Sequence, residues 1–541
     1  MGTRLRPLDH RLGRQLLISC LLAFAVLHAT TTFAADAPAL PAAPFAIQVV
    51  DDATGRGVPL IELATVSNVR LVTDSAGRAA VDDPALLNRP VFFSITGHGY
   101  EFPADGFGMR GRALDVRPGG SATLKVKRLN VAERVYRITG EGLYADTVRL
   151  GLKPPLAEPL LNAEVVGQDS AQAAVYRGRV YWFWGDTLRQ RYPLGHFGTA
   201  GATSDLPGRG GLAPDVGVDL HYFAGPDGFS RPMFARDEAT LFWFEGAFVV
   251  RDAAGREHLL GTVSRMKSLG ERLGRRLVEF DDDKQAFRTL REVPGDAPAA
   301  LPHGHAFVAD VGGKPFVHFA DPLPDVRVPA TYETAIDPTR YEAFTCVVPT
   351  APALAGPPAG AGGSAGPADR PVTRDADGRA RWAWRLGGTP VPREEFDRLV
   401  GGKVLAQADH PLPSSDAASG RPVRLHAGSV NWNAYRKRWV MIANEIGGQP
   451  SNLGEVYYLE AGTPEGPWRR AVKVVTHDRY SFYNPLHHAF LDQDGGRTIY
   501  FEGTYTADFS RVGDKTPRYD YNQVMYRLDL TDERLKPAAQ P

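Results

Sequence analysis

A loose repeat in the sequence between residues 160 and 535 limits the possible folds more than any other feature. Each unit of the repeat opens with a polar segment and continues into a strand that is rich in aromatic residues. Repeats of roughly 40 to 60 residues made of short strands are typical of a β-propeller, in which each unit forms one blade. Five openings are present and predict five blades. Their sequences are AEVVGQDSAQAAVYRGRVYWFWGDT, FARDEATLFWFEGAFVVRDAAGREHLLGTVSR, LPHGHAFVADVGGKPFVHFADP, GSVNWNAYRKRWVMIANEI and YNPLHHAFLDQDGGRTIYFEGTY.

Turn signals lie inside the units at the places where a blade needs a hairpin. Period-2 strands flank them, which is typical of antiparallel strand pairs. The segment 349–371 interrupts the repeat and contains almost no large apolar side chain, so we expect a mobile surface loop there. The turns are Arg177-Gly178, Gly312-Gly313, Tyr435-Arg436-Lys437 and Asp494-Gly495-Gly496.

The segment 45–130 has a different pattern, in which short strands are separated by frequent turn signals. Ala46–Val50, Val91–Ile95 and Ala122–Val126 are examples of these strands. Short alternating strands with such turns predict a small β-sandwich. With a connector at 131–159, the chain is therefore predicted to be all-β, with an N-terminal β-sandwich followed by a five-bladed β-propeller at 160–535.

The N-terminal residues 1–34 have the three-part layout of a secretory signal peptide. Four arginines precede an apolar run from Leu16 to Leu27, and the small-residue cleavage site ends at Ala34. We therefore expect an exported protein, periplasmic or extracellular, with a linker at 35–44. A lipoprotein box at Cys20 is the less favoured alternative, because the apolar run continues past that cysteine.

Charge and composition exclude several classes of protein. The 541 residues carry 62 Lys and Arg against 62 Asp and Glu, so no overall positive field attracts a nucleic acid. No segment after the signal peptide reaches the roughly 18 consecutive apolar residues of a transmembrane segment. After cleavage Cys346 is the only cysteine, which excludes an internal disulfide. The oligomeric state is left open by the sequence.

Two aspartates of the first opening are the main catalytic candidates. Asp169 lies in GQDSAQ, and Asp186 lies in WFWGDT on the neighbouring strand of the predicted hairpin. A propeller gathers the openings of its blades around one axis, so both carboxyl groups are expected near that axis. Glycosidic cleavage needs such a pair, one to protonate the leaving oxygen and one to activate water or attack the sugar. The alternative is that each aspartate only caps a turn beside glycine.

The stretch GQDSAQAAVYRGRVYWFWGDT resembles the first blade of secreted five-bladed propeller glycosidases. It is more closely similar to a bacterial family that includes endo-D-arabinanases, which shares the early Asp, the aromatic strand ending in Gly-Asp-Thr, and later GPW and NP elements. In that family an Asp pair of the first blade is implicated in catalysis. The resemblance therefore implies a catalytic role for Asp169 and Asp186, and it implies a carbohydrate substrate.

A second resemblance concerns the N-terminal segment. The runs VVDDATGRGVPLIELAT, VTDSAGRAAV and ITGHGYE are similar to the transthyretin-like or carboxypeptidase-regulatory-like sandwich of secreted enzymes. This resemblance implies an accessory domain that supports or positions its neighbour. No paired catalytic residues are evident within the segment.

Further candidates lie in the other openings. Glu502 ends an aromatic strand in the way that Asp186 does and is the third catalytic candidate, with a turn-capping or ion-paired role as the alternative. Amide, imidazole and aromatic side chains suit the hydroxyls and faces of a sugar. The histidines lack the accompanying ligand pattern of a metal site, so no metal and no cofactor is predicted. The predicted substrate-binding residues are His303, His305, Asn431, Trp432, Asn433, Glu445, Tyr483, Asn484, His487 and His488.

Three functions are consistent with these patterns. The first is an exported glycoside hydrolase that cleaves a polysaccharide or oligosaccharide by carboxylate acid/base chemistry at the propeller axis. The second is a non-catalytic propeller that binds a glycan or a protein, and the least favoured is a polysaccharide lyase that uses His and Tyr. Glycine-rich nucleotide motifs between a strand and a helix are absent from the sequence.

Overall fold

A computed structural model describes residues 43–539 except 197, 236, 240, 269, 295–299 and 349–370. The predicted signal peptide, most of the predicted linker and all but the last residue of the predicted loop 349–371 lie outside the described residues. The described residues belong to one compact unit. Their regular structure is almost entirely β, so the predicted all-β class is confirmed.

The first part of the chain forms two four-stranded sheets that share one apolar core. The side chains of the first strand alternate between buried and partly exposed, and the buried ones contribute Ile47 and Val49 to this core. Leu63 and Phe93 enter the core from the other sheet. The strands are β1 (Phe45–Asp51), β2 (Glu62–Thr65), β3 (Arg70–Val72), β4 (Arg78–Val81), β5 (Arg89–Thr96), β6 (Tyr100–Glu101), β7 (Gly111–Val116) and β8 (Ser121–Arg128), in the spatial orders β4-β1-β8-β6 and β3-β2-β5-β7.

The remainder of the described chain consists mainly of antiparallel sheets. It begins with β9 (Glu133–Arg137), β10 (Val165–Gln168), β11 (Gln172–Tyr176), β12 (Arg179–Trp184), β13 (Thr187–Arg189), β14 (Tyr192–His196), β15 (Ala200–Asp205) and β16 (His221–Tyr222). It continues with β17 (Leu241–Arg251), β18 (Glu257–Ser268), β19 (Glu271–Asp281), β20 (Ala286–Pro294), β21 (His305–Val311), β22 (Lys314–Ala320), β23 (Pro324–Pro329), β24 (Glu342–Thr345) and β25 (Ala383–Leu386). It ends with β26 (Ser415–Asp416), β27 (Leu425–Asn433), β28 (Arg438–Glu445), β29 (Val456–Ala461), β30 (Arg470–Val475), β31 (Ser481–His487), β32 (Thr498–Thr506) and β33 (Asn522–Asp529). Strand β26 pairs with β30 in parallel.

Most of these strands belong to sheets that follow one another along the chain. We call β11-β12-β15-β16 sheet 1, β17-β18-β19-β20 sheet 2 and β21-β22-β23-β24-β25 sheet 3. Sheet 4 has the order β27-β28-β29-β30-β26, and sheet 5 has the order β31-β32-β33-β9. A small additional sheet has the order β10-β13-β14. Because β9 precedes all the others in the chain and pairs with the last strand, sheet 5 joins the two ends of this region.

Each sheet contacts the next one, and sheet 5 contacts sheet 1. Apolar side chains fill the spaces between sheets: Phe183 of sheet 1 packs near Phe244 of sheet 2, and Tyr500 of sheet 5 lies in one cluster with Trp182 of sheet 1. The result is a closed ring of sheets, which is the arrangement of a β-propeller. Hydrogen bonds between neighbouring sheets join Ala247 N to Gln172 Oε1 (3.3 Å), Gly246 N to Gly304 O (3.0 Å), Gly428 N to Asp321 Oδ1 (3.3 Å), His487 N to Ser429 Oγ (2.8 Å) and Ser170 N to Thr504 Oγ1 (3.1 Å).

Among the residues that the structure describes, helices are few and short. The α-helices are α1 (Ala145–Arg149), α2 (Tyr332–Ala335) and α3 (Arg393–Gly401), and 3₁₀ turns lie at Pro338–Arg340, Gln407–Asp409, Ala489–Leu491, Asp494–Gly496 and Glu533–Ala539. Within the described residues, every helix is too short or too polar to cross a membrane.

Candidate active site

Asp169 and Asp186 lie next to each other at one end of sheet 1. Asp169 precedes β11 and Asp186 follows β12, and the antiparallel pairing of Gln172 with Phe183 brings these two strand ends together. The backbone N–H of Asp186 donates a hydrogen bond of 3.0 Å to Oδ1 of Asp169. The backbone N–H of Gly185 donates one of 2.8 Å to the Asp169 carbonyl. Both carboxyl groups therefore lie at the open end of this hairpin.

Several donors surround the Asp169 carboxylate. The hydroxyl of Tyr483, on sheet 5, donates a hydrogen bond of 3.0 Å to Oδ2 of Asp169. Burial raises the pKa of Asp169 above its usual value, whereas hydrogen bonds from Tyr521, Tyr483, the Asp186 backbone and Ser170 oppose that rise. Hydrogen bonds to the charged form favour it, so these donors offset part of the effect of burial on the Asp169 carboxylate.

The Asp186 carboxyl group has a different environment. Its Oδ1 is buried and has no hydrogen-bond partner among the described residues. Burial, with a smaller contribution from the negative charge of Asp169, raises the pKa of Asp186 to about 7. At neutral pH a large fraction of this group therefore carries a proton.

The backbone around Asp169 is strained at three positions. Ser170, Asn484 and Tyr521 have φ values of 54°, 50° and 65°, in the left-handed region that residues other than glycine rarely adopt. The Asn484 side chain donates a hydrogen bond of 2.9 Å to Oγ of Ser170 and so links two of the strained residues. Such strain persists where the surrounding structure imposes it, and it is concentrated at functional sites.

A cavity of about 560 Å³ lies at the corresponding end of sheet 2. Trp243 and Glu245 of β17 line this cavity, and Ala247 of the same strand donates a hydrogen bond to Gln172 of sheet 1. The cavity therefore lies beside the sheet that carries the aspartate pair. Burial raises the pKa of Glu245, and the nearby arginines oppose this rise. The lining residues that concern us are Trp243, Glu245, Thr262, Arg272, Arg275 and His303.

His303 belongs to a second group of buried titratable side chains. Its Nε2 lies 2.6 Å from Oδ1 of Asp325. Burial, then the charge of Asp321, raises the pKa of Asp325 to about 8, and burial, then the charge of Glu245, raises the pKa of Asp321 to about 7. Burial lowers the pKa of His303 to about 4, and Arg275 adds to the effect. At neutral pH the carboxyl group of Asp325 is therefore mostly protonated and the imidazole of His303 is neutral, so the pair carries little net charge.

The structure places the predicted residues of sheet 4 away from the aspartate pair. Asn431, Trp432 and Asn433 lie at the hairpin-turn end of β27, whereas the aspartates lie at the open end of the hairpin in sheet 1. The Asn433 amide donates a hydrogen bond of 2.7 Å to the carbonyl of Gly496, and the Asn431 amide donates one of 3.2 Å to that of His487. These two amides connect sheets 4 and 5, and Trp432 is half exposed.

Glu445 is buried in an ion pair. Its carboxylate accepts hydrogen bonds of 2.5 and 2.8 Å from Arg421 and one of 3.1 Å from the hydroxyl of Tyr457. Glu445 is therefore paired with the positive charge of Arg421, which lies in the segment between β26 and β27, and this arrangement is that of a structural carboxylate.

Glu502 and the histidines of sheet 5 are also buried. Oε1 of Glu502 lies 2.7 Å from Nε2 of His488, and both side chains have almost no exposed surface. His487 pairs with Asp492 at 2.9 Å. Burial, followed by the nearby His488, lowers the pKa of His305 to about 3. Of the predicted residues, Tyr483 and Asn484 are thus the ones that lie beside the aspartate pair.

Sequence reasoning missed five residues of these two groups. Asp321 follows the aromatic strand β22 in the way that Asp186 follows β12, and this shared position was a usable signal. The others carried no local signal, because Glu245 lies in a run of aromatic residues and the rest come from separate segments. The missed residues are Glu245, Arg275, Asp321, Asp325 and Tyr521.

Metal binding has no support in the part of the chain that the structure describes. There, no group of three or more His, Cys, Asp or Glu side chains is arranged to hold an ion.

Comparison with known proteins adds the following. No family model matches the sequence, and no curated protein matches it. Among solved structures, a putative hydrolase from Bacteroides ovatus is similar over 70% of this chain and 89% of its own, with 13% identity and a TM-score of 0.43. An endo-arabinase from Bacteroides thetaiotaomicron is similar over 69% and 98%, with 11% identity and a TM-score of 0.33. An exo-β-1,3-galactanase from Phanerochaete chrysosporium is similar over 74% and 65%, with 10% identity and a TM-score of 0.36.

Proposed function

We propose that this protein is a glycoside hydrolase whose active site contains Asp169 and Asp186. The observation that carries the proposal is the unequal environment of two adjacent carboxyl groups. Asp169 accepts hydrogen bonds from several donors, whereas Oδ1 of Asp186 is buried without a partner among the described residues. Cleavage of a glycosidic bond needs one ionised and one protonated carboxyl group, and environments that separate two pKa values provide both.

The two carboxyl groups have different roles in this proposal. Asp186, with its pKa of about 7, protonates the leaving glycosidic oxygen. Asp169 remains ionised and acts as the base that activates water or as the nucleophile. Tyr483 and Tyr521 are positioning residues, because their hydroxyls hold the Asp169 carboxylate in one orientation. Glu502 makes no contact with the sugar, because its side chain has no exposed surface.

The architecture and location form the second part of the proposal. Sheets 1 to 5 are the five blades of a propeller that extends over residues 160–535. Residues 45–130 form an accessory β-sandwich, and 131–159 connect the two. The N-terminal 34 residues direct export, so the substrate is a glycan outside the cytoplasm.

The hydrolase proposal is tested with Asp169→Asn and Asp186→Asn variants. We expect the wild-type protein to release reducing sugars from at least one member of a panel of plant, algal and bacterial-wall polysaccharides. Each substitution removes the acid or the base and should lower the rate by about 10²-fold to 10⁴-fold. The anomeric form of the first product, observed by NMR, then distinguishes retention from inversion.

Asp205→Asn is the matched control. Asp205 is in the same sheet and pairs with Arg179 at 2.9 Å, at the hairpin-turn end of β12. This variant should keep wild-type activity. The proposal is wrong if no glycan in the panel is cleaved, or if the Asp169 and Asp186 variants are as active as the control.

A polysaccharide lyase is the second candidate, because His303 and Asp325 form a buried hydrogen-bonded pair beside Arg275. A lyase removes a proton next to a carboxylate and leaves a double bond in the product. Absorption of that double bond in the ultraviolet, together with activity that survives Asp186→Asn, would favour this candidate over hydrolysis.

A further inference from the structure

We propose that the exposed ring of Phe509 is a platform on which a sugar ring stacks, so that the substrate is a glycan chain that extends beyond the unit held at the aspartate pair. This inference rests on the proposed hydrolase function and adds a substrate-binding residue to its site. It depends on where the ring lies, on the backbone conformation that holds it and on the loop that carries it.

The ring of Phe509 lies beside Tyr483, the residue that holds Asp169. The centroids of the two rings are 5.6 Å apart, and the ring planes are nearly perpendicular, at 77°. The hydroxyl of Tyr483 donates a hydrogen bond to Oδ2 of Asp169, so one tyrosine side chain separates the Phe509 ring from that carboxylate. Tyr483 is buried, whereas Phe509 is 68% exposed. A solvent-facing aromatic surface therefore lies at this side of the aspartate pair.

The backbone at Phe509 has a conformation that favours glycine. The N–H of Ser510 donates a hydrogen bond of 3.1 Å to the carbonyl of Ala507, which closes a four-residue turn with Phe509 in its third position. The φ of Phe509 is 61°. A turn with a positive φ at its third residue normally has glycine or asparagine there, because bulky residues are strained in this region. Phe509 is therefore a second strained aromatic residue near Asp169, and such strain is concentrated at functional sites.

The loop between β32 and β33 carries Phe509 near its start and Tyr521 at its end. Oδ1 of Asp520 accepts a hydrogen bond of 2.7 Å from the backbone of Ala507, which ties the two ends of this loop together. Tyr521 hydrogen-bonds to Asp169. One loop thus both holds the carboxylate and presents the exposed ring, so the position of the ring relative to the aspartate pair is fixed.

A sugar ring is the ligand that suits this surface. The C–H groups on one face of a sugar ring can stack on an aromatic ring, and the contact removes apolar surface from water. A single exposed aromatic residue is by itself ordinary on a protein surface. The contact with Tyr483 and the strained turn distinguish Phe509, because both relate its ring to the aspartate pair. Since Tyr483 separates the ring from Asp169, the stacked sugar is a neighbour of the unit that is cleaved.

Affinity electrophoresis measures the binding without turnover. The Asp186→Asn protein and the Asp186→Asn/Phe509→Ala protein are run through native gels that contain linear arabinan, xylan, laminarin, pectic galactan or alginate. We expect at least one of these polysaccharides to retard the Asp186→Asn protein. Phe509→Ala should weaken that binding roughly tenfold, because the apolar contact with the sugar ring is lost.

Phe509→Trp is the conservative variant in the same Asp186→Asn background. It keeps a flat apolar face and should retain the affinity. The indole introduced at this position should also shift its fluorescence emission to shorter wavelength when the polysaccharide binds, relative to the Asp186→Asn parent, because stacking removes it from water. An emission spectrum that the bound polysaccharide leaves unchanged would contradict the stacking contact.

Phe107→Ala is the matched control. Phe107 is 95% exposed and lies between β6 and β7 in the N-terminal sheets. The same substitution there should leave the affinity unchanged, and melting curves verify that both alanine variants fold like their parent. Equal affinities of the Phe509→Ala and Phe107→Ala proteins would overturn the inference, and so would retardation by none of the polysaccharides.

Failure of this inference differs from failure of the hydrolase proposal. If a glycan is cleaved and Asp186→Asn abolishes that cleavage, but Phe509→Ala binds the glycan as tightly as its parent, only the stacking platform is wrong. If Phe509→Ala weakens binding and no glycan is cleaved, the platform stands and the hydrolase proposal is wrong.

Discussion

At the scale of single residues, Asp169 and Asp186 have the same side chain and neighbouring positions but different surroundings. Donors from sheet 5 converge on Asp169, whereas Asp186 is buried beside that carboxylate with one oxygen unpaired among the described residues. Burial and like charge both oppose ionisation of Asp186, which explains its pKa of about 7. The difference between the two groups therefore comes from packing and not from residue type.

The raised pKa of Asp186 predicts how stability changes with pH. The folded protein holds the Asp186 proton more tightly than the unfolded chain does. Protonation of Asp186 therefore stabilises the folded state fully below about pH 4, and this stabilisation is lost as the pH rises to about 7. Asp186→Asn removes this loss, so we expect it to be more stable than the wild type by about 1 to 3 kcal/mol at pH 8 and by little at pH 4.

Thermal or denaturant unfolding at pH 4, 6 and 8 measures this difference. The Asp205→Asn control should not gain stability over the wild type at pH 8, because it loses the ion pair between Asp205 and Arg179. A difference for Asp186→Asn that does not grow with pH would contradict the prediction.

At the scale of elements, the end of β12 controls the geometry of the aspartate pair. Gly185 separates Trp184, the last residue of β12, from Asp186. A Cβ atom at Gly185 would lie 2.3 Å from Oδ1 of Asp169, which is closer than atoms can approach. The absence of a side chain at this position therefore allows the hydrogen bond between the Asp186 backbone and Asp169.

Gly185→Ala is predicted to displace the Asp169 carboxylate and to reduce activity. A misplacement of about 1 Å in a catalytic group can cost about 10²-fold in rate, so we expect a loss of that order in kcat. Gly462→Ala is the control, because a Cβ atom there meets no other atom within 4 Å. Kinetics on the glycan that the wild type cleaves, with melting curves of both variants, measure the effect. An active Gly185→Ala protein would show that the carboxylate tolerates displacement.

At the scale of the whole molecule, Arg134 connects the N-terminal sheets to sheet 5. It lies on β9, is fully buried, and donates hydrogen bonds to the carbonyls of Pro59 (3.0 Å) and His98 and to the hydroxyl of Tyr526 (3.1 Å). Because β9 is also the outer strand of sheet 5, one residue contributes both to ring closure and to contact with the N-terminal sheets. The two parts of the molecule are therefore expected to unfold together.

Arg134→Met is predicted to destabilise the protein strongly. It leaves buried carbonyl groups without a donor, which should cost about 3 kcal/mol or more. The exposed Arg112, on β7, supplies the control variant Arg112→Met, which should change stability by less than about 0.5 kcal/mol. Denaturant unfolding measures both. If Arg134→Met unfolds at the same midpoint as the control, the contact is not a stabilising one.

The sequence alone determined features that depend on local patterns. The alternation in β1, the aromatic strands and the glycine turns were sufficient for the all-β class. The first opening also predicted that Asp169 and Asp186 lie close together, because both lie at the ends of strands in one hairpin, where pairing places them side by side. Such features are readable because side-chain alternation and turn chemistry act over a few residues.

Only the tertiary structure decided which distant residues meet. Tyr483 and Tyr521 reach Asp169 because sheet 5 closes against sheet 1, and Arg275 adjoins His303 because sheet 2 packs beside sheet 3. No local sequence pattern indicates these contacts, and the burial of polar groups depends on how whole sheets pack. Ring closure is a property of the complete chain, so its consequences for charge and proton binding follow from the tertiary structure and not from any one segment.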